Sequence, residues 1–303
     1  MYEKILIPLD GSELAEVALP YAEELAGRLG SEVTLIYVSE SAEDPYHYMH
    51  QVYVQQMVEA TKHGTEKYLE KPQGRAIKVE SAILMGHPAE EIVDYADKEK
   101  IGLIVMATHG RSGVRRWVLG SVADKVVRAT KRPVALIRAK GTRPDVREKG
   151  ILNKALVPLD GSKESEAVIP YIEELASKLK AEVVLFQVVA QAYRIYPGGD
   201  PGVQVPFTEE QMEPLKASAE QYLEEVTSGL KGRGVTTRYE VRVGDAAEEI
   251  INLADELCVD LVAMSTHGRS GVSRWNIGSV ADKVLHAGNT PLLLVRVPQA
   301  GTD

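Results

Sequence analysis

The sequence predicts an α/β protein of two tandem doubly wound domains, each with a five-stranded parallel sheet and helices on both faces. Three observations lead to this class. The chain repeats itself once, strand-length apolar runs alternate with helical patterns in both copies, and 303 residues suffice for two domains of ordinary size. Parallel strands joined through helices need crossover connections, and these are right-handed.

Three matched segments establish the repeat. Residues 4–12 return as 154–162, residues 108–114 as 266–272, and residues 120–126 as 278–284. The offset grows from 150 to 158, which indicates an insertion of about eight residues in the second copy, expected in the Pro- and Gly-rich stretch 196–202. The predicted domains are residues 1–140 and 151–303, joined by a polar, charged linker at 141–150.

The first copy provides the pattern for both. Continuous apolar runs or β-rich segments predict buried strands at 4–9, 32–38, 76–82, 102–107 and 133–138. Helical spacing predicts helices at 12–29, 46–70, 88–98 and 120–130. Pro88 suits the first position of its helix, whereas Pro20, and Pro170 in the second copy, should kink theirs.

Composition narrows the function classes. Hydrophobic residues make up 44% and charged residues 26%, as in soluble globular proteins. The net charge of −9 argues against binding to nucleic acid, whose phosphates it would repel. No apolar run approaches a bilayer-spanning length and no signal peptide is recognised, so a cytoplasmic protein without a membrane partner is expected. The single cysteine, Cys258, excludes an intramolecular disulfide and is predicted to be a small core residue.

Doubly wound sheets bind ligands beyond the carboxyl ends of their strands, where the strand order reverses. Three pieces of each copy should meet there. In the first copy they are Asp10, the loop 109–119 and the helix start at Gly120; in the second they are Asp160, the loop 267–277 and Gly278. A helix N-terminus attracts anions, and glycine allows close approach of a phosphate. The arginines of the loops are natural phosphate partners: Arg111, Arg115, Arg116, Arg269 and Arg274.

Simpler interpretations exist for each of these residues. Ser121 and Ser279 precede an aspartate by three positions, so each fits a helix-capping pattern as well as a phosphate site. Asp10 also fits a plain turn, and the arginines fit a solvated loop face. His109 and the matching His267 stand at strand-to-loop junctions, where histidines are usually structural. The aspartate, the loop and the glycine-serine helix start all occur in both copies, so this combination of residues is less easily explained by chance.

The segments 8–12, 106–111 and 120–121 resemble the universal stress protein family, and the resemblance covers nearly the whole chain, once per half. ATP-binding members of that family carry the pattern Gly-x2-Gly-x9-Gly-Ser/Thr. Here nine residues separate Gly110 from Gly120-Ser121, and nine separate Gly268 from Gly278-Ser279. The first glycine of the pattern is replaced by Ala107 in one half and by Ser265 in the other.

The resemblance implies a Rossmann-like fold and an adenine nucleotide ligand, ATP, with ADP, AMP or a cyclic nucleotide as alternatives. Asp10 and Asp160 would lie beside the ribose or a phosphate-bound Mg²⁺, and the backbone near Val38 and Val188 would face adenine. Backbone amides at Gly110, Gly120, Ser121, Val122, Gly268, Gly278, Ser279 and Val280 would bind phosphates. The other expected site residues are Pro8, Met106, Ala107, His109, Arg111, Pro158, Met264, Ser265, His267 and Arg269.

The resemblance also implies how such a chain acts. We expect a nucleotide-dependent regulator of the stress response that works through ligand-ordered loops and a protein partner, with no catalytic residue. A slow ATPase or self-phosphorylating protein and a nucleotide-free interaction module are the alternatives. The family tends to pair its domains through the fifth strand, so residues 133–138 and 291–297 should pair within one chain. A homodimer of whole chains is a further expectation.

Overall fold

Strands and helices alternate in both halves of the chain. The computed structural model describes residues 1–41, 45–69, 77–109, 119–138, 150, 152–195, 204–268 and 277–297. The strands of the first half are β1 (Lys4–Leu9), β2 (Glu32–Ser39), β3 (Val79–Met85), β4 (Leu103–Ala107) and β5 (Val134–Ile137). Its helices are α1 (Glu13–Glu16), α2 (Leu19–Leu29), α3 (His47–Glu66), α4 (Pro88–Lys98) and α5 (Ser121–Ala129).

The second half repeats this order with an added hairpin. Its strands are β6 (Lys154–Pro158), β7 (Glu182–Val189), β8 (Tyr193–Ile195), β9 (Gln204–Pro206), β10 (Thr237–Val243), β11 (Leu261–Ser265) and β12 (Leu292–Val295). Its helices are α6 (Lys163–Glu166), α7 (Ile169–Leu179), α8 (Glu209–Gly232), α9 (Ala246–Glu256) and α10 (Ser279–Ala287). Within the described residues, no helix combines the length and the apolar composition needed to span a membrane.

The two halves share one ten-stranded sheet, in the order β10-β7-β6-β11-β12-β5-β4-β1-β2-β3. Each half contributes five parallel strands, and the halves meet where β12 pairs antiparallel with β5. In that pair Leu292 lies opposite Leu136 and Leu293 opposite Ala135. The predicted fold class and the predicted pairing of the fifth strands are therefore confirmed. The strand order reverses between β1 and β4 in the first half and between β6 and β11 in the second half.

Burial on both faces explains why the strand sequences are continuously apolar. Ile5 and Ile7 belong to the hydrophobic cluster on one face of the sheet, whereas Leu6 between them belongs to the cluster on the other face. Successive strand residues point to opposite faces, so a strand covered by helices on both faces needs no polar alternation. Both clusters draw residues from both halves, which makes the core continuous across the β5–β12 junction.

The first helical segment is two helices instead of the single kinked helix that we predicted. α1 ends at Glu16, and α2 begins at Leu19 with Pro20 in its first turn. The second half is divided in the same way, with Pro170 in the first turn of α7. Amide groups in a first turn have no partner inside the helix, so proline is tolerated there without loss of a hydrogen bond. Each proline therefore lies just after a break in its helical segment, where we predicted a kink in one continuous helix.

The two halves differ by more than one insertion. The Tyr53 hydroxyl donates to Glu16 at 3.0 Å, and the Tyr222 hydroxyl donates to Glu166 at 2.9 Å, so these pairs match. The two glutamates are 150 positions apart in the sequence, whereas the two tyrosines are 169 apart. Matched residues of the third strands, β3 and β10, are 158 apart. The second half thus gains 19 residues between β7 and Tyr222 and loses 11 between Tyr222 and β10. Our expectation of one eight-residue insertion gave only the net difference, and residues 196–202, where we placed it, lie outside the described residues.

Cys258 is exposed, and its predicted place in the core was wrong. It follows the C-terminal end of α9 with a φ of 49°, and the matching residue of the first half, Lys100, has a φ of 54°. A left-handed residue turns the chain from the helix into the next buried strand. The turn geometry, and not the apolar neighbours in sequence, decides the direction of this side chain.

Arginines that follow the two fifth strands hold the halves together. Arg138, after β5, donates to the carbonyl oxygen of Leu285 near the C-terminal end of α10. Arg296, after β12, donates to the carbonyl oxygens of Arg128 at 2.8 Å and Thr130 at 3.1 Å, at the end of α5. The last carbonyls of a helix have no partner in the helix and carry partial negative charge. Each half therefore caps the final helix of the other.

We expect the free energy of unfolding to fall when the pH rises above about 10, partly because of Tyr2. Burial, followed by the nearby Glu174 charge, raises the pKa of Tyr2, whose hydroxyl donates to the carbonyl of Tyr171 in the other half. The folded protein keeps this phenol neutral while the unfolded chain ionises, which costs up to about 1.4 kcal/mol per pH unit. Urea unfolding between pH 8 and 11 should show a shallower decline for Tyr2→Phe. The same change at exposed Tyr48 is the control, and an equal decline in all three proteins would contradict this assignment.

Replacing His87 by aspartate should stabilise the first half by about 0.5–1 kcal/mol. His87 begins α4 without a side-chain cap, whereas the matching Asp245 accepts from the amides of Ala247 and Glu248 at 3.1 and 3.2 Å. The extended backbone of His87, with φ −83° and ψ 121°, already suits a capping aspartate. Urea unfolding measures the gain, His87→Ala is the control without an acceptor, and a destabilised His87→Asp variant would refute the expectation.

Candidate functional site

A cavity of about 640 Å³ opens beyond the carboxyl ends of β1 and β4, where the strand order of the first half reverses. All predicted site residues of this half that lie within the described residues line it: Pro8, Asp10, Val38, Met106, Ala107, His109, Gly120, Ser121 and Val122. The matching cavity of the second half measures about 210 Å³. It is lined by Pro158, Asp160, Val188, Met264, Ser265, His267, Gly268, Gly278, Ser279 and Val280. Gly110, Arg111 and Arg269 lie outside the described residues.

The helices that start at these cavities are not capped by side chains within the described residues. Gly120 is the N-cap of α5 and Gly278 that of α10, so Ser121 and Ser279 are the first helical residues. The capping interpretation of the two serines was therefore wrong. Elsewhere the chain does use caps, as at Ser12, whose hydroxyl accepts from the Ala15 amide. The amide end of α5 faces the cavity with a positive dipole end.

Gly120 and Gly278 have a structural reason to be glycine. The Gly120 amide donates to the Thr108 carbonyl at 2.8 Å, and a Cβ at Gly120 would lie 3.0 Å from the same oxygen. Gly278 makes the matching hydrogen bond to Thr266 at 2.7 Å, and its added Cβ would lie 3.1 Å away. The helix start is thus fastened to the end of the fourth strand. Any side chain at either position would push the helix start away from the threonine carbonyl, so packing within the protein already favours glycine here.

The two aspartates after the first strands shape their turns and also line the cavities. Asp10 Oδ1 accepts from the Ser12 amide at 3.0 Å and from the Ser12 hydroxyl at 2.6 Å. Asp160 accepts from Ser162 in the same way, at 3.0 and 2.5 Å. Asp10 can therefore stabilise the turn and also belong to a ligand site. One of its carboxylate oxygens accepts the hydrogen bonds of the turn, and the residue lines the cavity.

Threonine and serine side chains contact the histidines that follow the fourth strands. The hydroxyls of Thr108 and Thr266 lie 3.0 Å from Nδ1 of His109 and His267, respectively. In the second half only, the Ser265 hydroxyl also donates to the His267 carbonyl at 2.5 Å. Both histidines are held by the residue that precedes them, which suits the structural role we gave as their alternative.

Sequence reasoning missed the part of the first cavity that lies between β2 and the start of α3. The lining residues in this part are Tyr37, Ser39, Glu40, Ser41, Tyr46 and His50. The rings of Tyr37 and His50 stack, with centroids 4.4 Å apart and planes inclined by 30°. The available signal was a tyrosine- and histidine-rich stretch, residues 46–53, that follows the second strand and contains no Asp, Glu, Lys or Arg.

The described residues contain no group of three or more His, Cys, Asp or Glu side chains that could hold a metal ion. Asp10 is the carboxylate that we predicted beside a phosphate-bound Mg²⁺ in the first half. Magnesium commonly uses one or two protein carboxylates together with substrate phosphates and water. Asp10 and Glu40 are the carboxylates among the described lining residues. So few carboxylates fit an ion that arrives with a phosphate ligand, and they do not fit a site made by the protein alone.

Together, the fold and the matched cavities define a tandem α/β protein with a candidate ligand site at the switch point of each half. The universal stress protein family model matches residues 1–138 and again 152–296. The chain belongs to the universal stress protein family.

Relatives and solved structures agree with this membership. Universal stress protein MJ0531 of Methanocaldococcus jannaschii is 34% identical over 145 residues, which cover 46% of this chain and 83% of that protein. Universal stress protein Rv2005c of Mycobacterium tuberculosis is 27% identical over 226 residues, 73% of this chain and 70% of that one. A crystal structure of a universal stress protein from Archaeoglobus fulgidus superposes with a TM-score of 0.70 at 19% identity. The superposition covers 98% of this chain and 99% of the Archaeoglobus chain, so the two proteins share the fold.

Proposed function

We propose that this protein binds an adenine nucleotide, ATP, at the switch-point cavity and acts as a nucleotide-dependent regulator. The observation that carries the proposal is the cavity of about 640 Å³ with the uncapped start of α5 at its edge. Small-molecule sites commonly measure about 300–1,000 Å³ and combine an apolar lining with a few polar groups. A nucleotide has this combination, with an apolar ring system at one end and phosphates at the other.

The start of α5 supports the placement of the phosphates. Ser121 and Val122 line the cavity in the first helical turn, where backbone amides and the helix dipole favour an anion. The sequence segment after His109, residues 110–118, supplies Arg111, Arg115 and Arg116, and the spacing of Gly110 to Gly120 matches the pattern of ATP-binding family members. Asp10 would hold the Mg²⁺ that the phosphates bring.

The apolar part of the cavity lining supports the placement of the base. Ile36, Val38 and Met106 contribute apolar side chains to this lining, and the stacked rings of Tyr37 and His50 also line the cavity. A planar heterocycle buries favourably against such a lining, and backbone groups near Val38 can distinguish its edge. Phosphates bound at α5 would engage the basic segment 110–118, and this segment would then present a changed surface to a protein partner.

Calorimetric titration of MgATP into nucleotide-free protein tests the proposal. The protein is unfolded and refolded first so that any copurified nucleotide is removed. We expect saturable binding, with ADP, AMP and cyclic AMP titrated separately to rank the phosphates. Inorganic triphosphate and adenosine, each tested alone, are the controls for the two ends of the ligand. Failure of every adenine nucleotide to bind well-folded protein would overturn the proposal and favour a nucleotide-free interaction module.

A further inference from the structure

We propose that each chain binds one nucleotide, in the first-half cavity, and that the second-half cavity is closed to nucleotides by its own side chains. This inference rests on the proposed function and specifies which of two similar sites performs it. The sequence motifs of the halves are nearly the same, but the cavities measure about 640 and 210 Å³. Only the first volume falls in the range of about 300–1,000 Å³ that is usual for small-molecule sites.

Two substitutions between the halves reduce the second cavity from within. Ile36 of β2 is replaced by Phe186 of β7, and both residues line their cavities. Phe186 is fully buried, so its larger ring occupies space that cannot be recovered by turning toward solvent. Ala107 is replaced by Ser265, whose hydrogen bond to the His267 carbonyl ties the loop to the strand end. The first change enlarges an apolar side chain of the cavity lining, and the second adds a hydroxyl group to the lining.

Gly268 also packs closely against the aspartate of the second half. A methyl group placed on Gly268 would overlap the Asp160 carboxylate, so backbone and carboxylate are already in close contact. Asp160 is the residue that the family resemblance places beside the ribose or Mg²⁺. A ligand group that entered between the two residues would have to move Gly268 or the Asp160 carboxylate.

The first cavity, in contrast, extends beneath the start of α3. Ser39, Tyr46 and His50 line this extension, and His50 stacks on Tyr37. In the second half β7 continues toward the hairpin of β8 and β9, and no described residue of the hairpin or of α8 lines the cavity. Tyr37 is matched by Gln187, and the offset of 169 matches His50 to Ala219. The second half therefore lacks the ring pair at the end where the base would lie.

Exchanging the two distinguishing side chains between the halves tests the inference. Calorimetry with MgATP on wild-type protein should give one site per chain. Ile36→Phe/Ala107→Ser copies the second half into the first, and it should weaken binding at least 10-fold. Two sites per chain, or unchanged affinity in this variant with native circular dichroism, would overturn the inference while the proposed function stood. Absence of any binding to the wild-type protein would instead remove the proposed function itself.

The reverse exchange supplies a gain of function that misfolding cannot imitate. Phe186→Ile/Ser265→Ala copies the first half into the second and should raise the stoichiometry above one site per chain. Ala107→Ser alone is a milder companion to the first exchange, in case the larger phenylalanine ring in place of Ile36 destabilises the core. An opened second half that remains folded but still gives one site would refute the proposed cause of closure.

Discussion

Replacing Ser121 by aspartate should weaken MgATP binding at least 100-fold without lowering the free energy of unfolding. Ser121 is exposed and is the first residue of α5, so a carboxylate there interacts favourably with the helix dipole, by about 0.3–1 kcal/mol. The same carboxylate would face the phosphates. Two unit charges about 4 Å apart near a protein surface repel by about 4 kcal/mol, which exceeds what a 100-fold loss requires.

Ser121→Asp is informative because it should weaken MgATP binding without destabilising the fold. Most substitutions that abolish binding also destabilise a protein, whereas this one separates the site from the fold. Calorimetry measures the affinity and urea unfolding the stability. Ser121→Asn, neutral and similar in size, should bind far better than the aspartate, and Ser279→Asp is the matched change at the cavity that we infer to be closed. Affinity of Ser121→Asp within threefold of wild type would rule out phosphates at this helix start.

Replacing Arg296 by alanine should destabilise the protein by roughly 3 kcal/mol. Its guanidinium, half-buried at the junction of the halves, donates to the carbonyls of Arg128 and Thr130. A hydrogen bond to a charged group contributes about 1.5–3 kcal/mol, and loss of the arginine would leave two helix-end carbonyls without this donor. The effect should appear in urea unfolding of the whole chain, because the core is continuous across the junction.

A matched arginine shows whether position or charge matters. Arg132 pairs with Asp97 at the surface, at 3.0 Å, and its loss should cost less than about 1 kcal/mol. Arg296→Lys keeps the charge at the end of α5 but lacks the planar fork, so its stability should lie between those of alanine and wild type. Equal losses from Arg132→Ala and Arg296→Ala would mean that the junction does not depend on this arginine.

The sheet could be predicted from the sequence because it depends on patterns that each half displays by itself. Buried parallel strands require apolar runs, and α4 begins at Pro88 as predicted. Errors arose where a short turn decides the outcome. The first helix divides between Glu16 and Leu19, just before Pro20, and the exposed Cys258 lies at a turn residue with positive φ. Periodicity averaged over a longer window does not detect such turns.

The residues of the site could be predicted, but its dimensions could not. Strand ends and a glycine-rich helix start carry recognisable sequence signals, and the described members of the predicted set do meet at the cavities. The volume of a cavity depends on side chains that converge from distant segments. Phe186 in place of Ile36 is an ordinary exchange in a strand, and the Tyr37–His50 contact joins a strand to a helix across a variable connection.

The antiparallel junction of β5 and β12 has an evolutionary consequence. In a symmetric dimer of identical subunits, every substitution appears in both sites, so a change that closes one site closes the other. Covalent joining of the two domains removes this constraint and also makes their association independent of protein concentration. One half can then lose its ligand yet survive as a permanent scaffold, since the arginine of each half still completes the final helix of its neighbour.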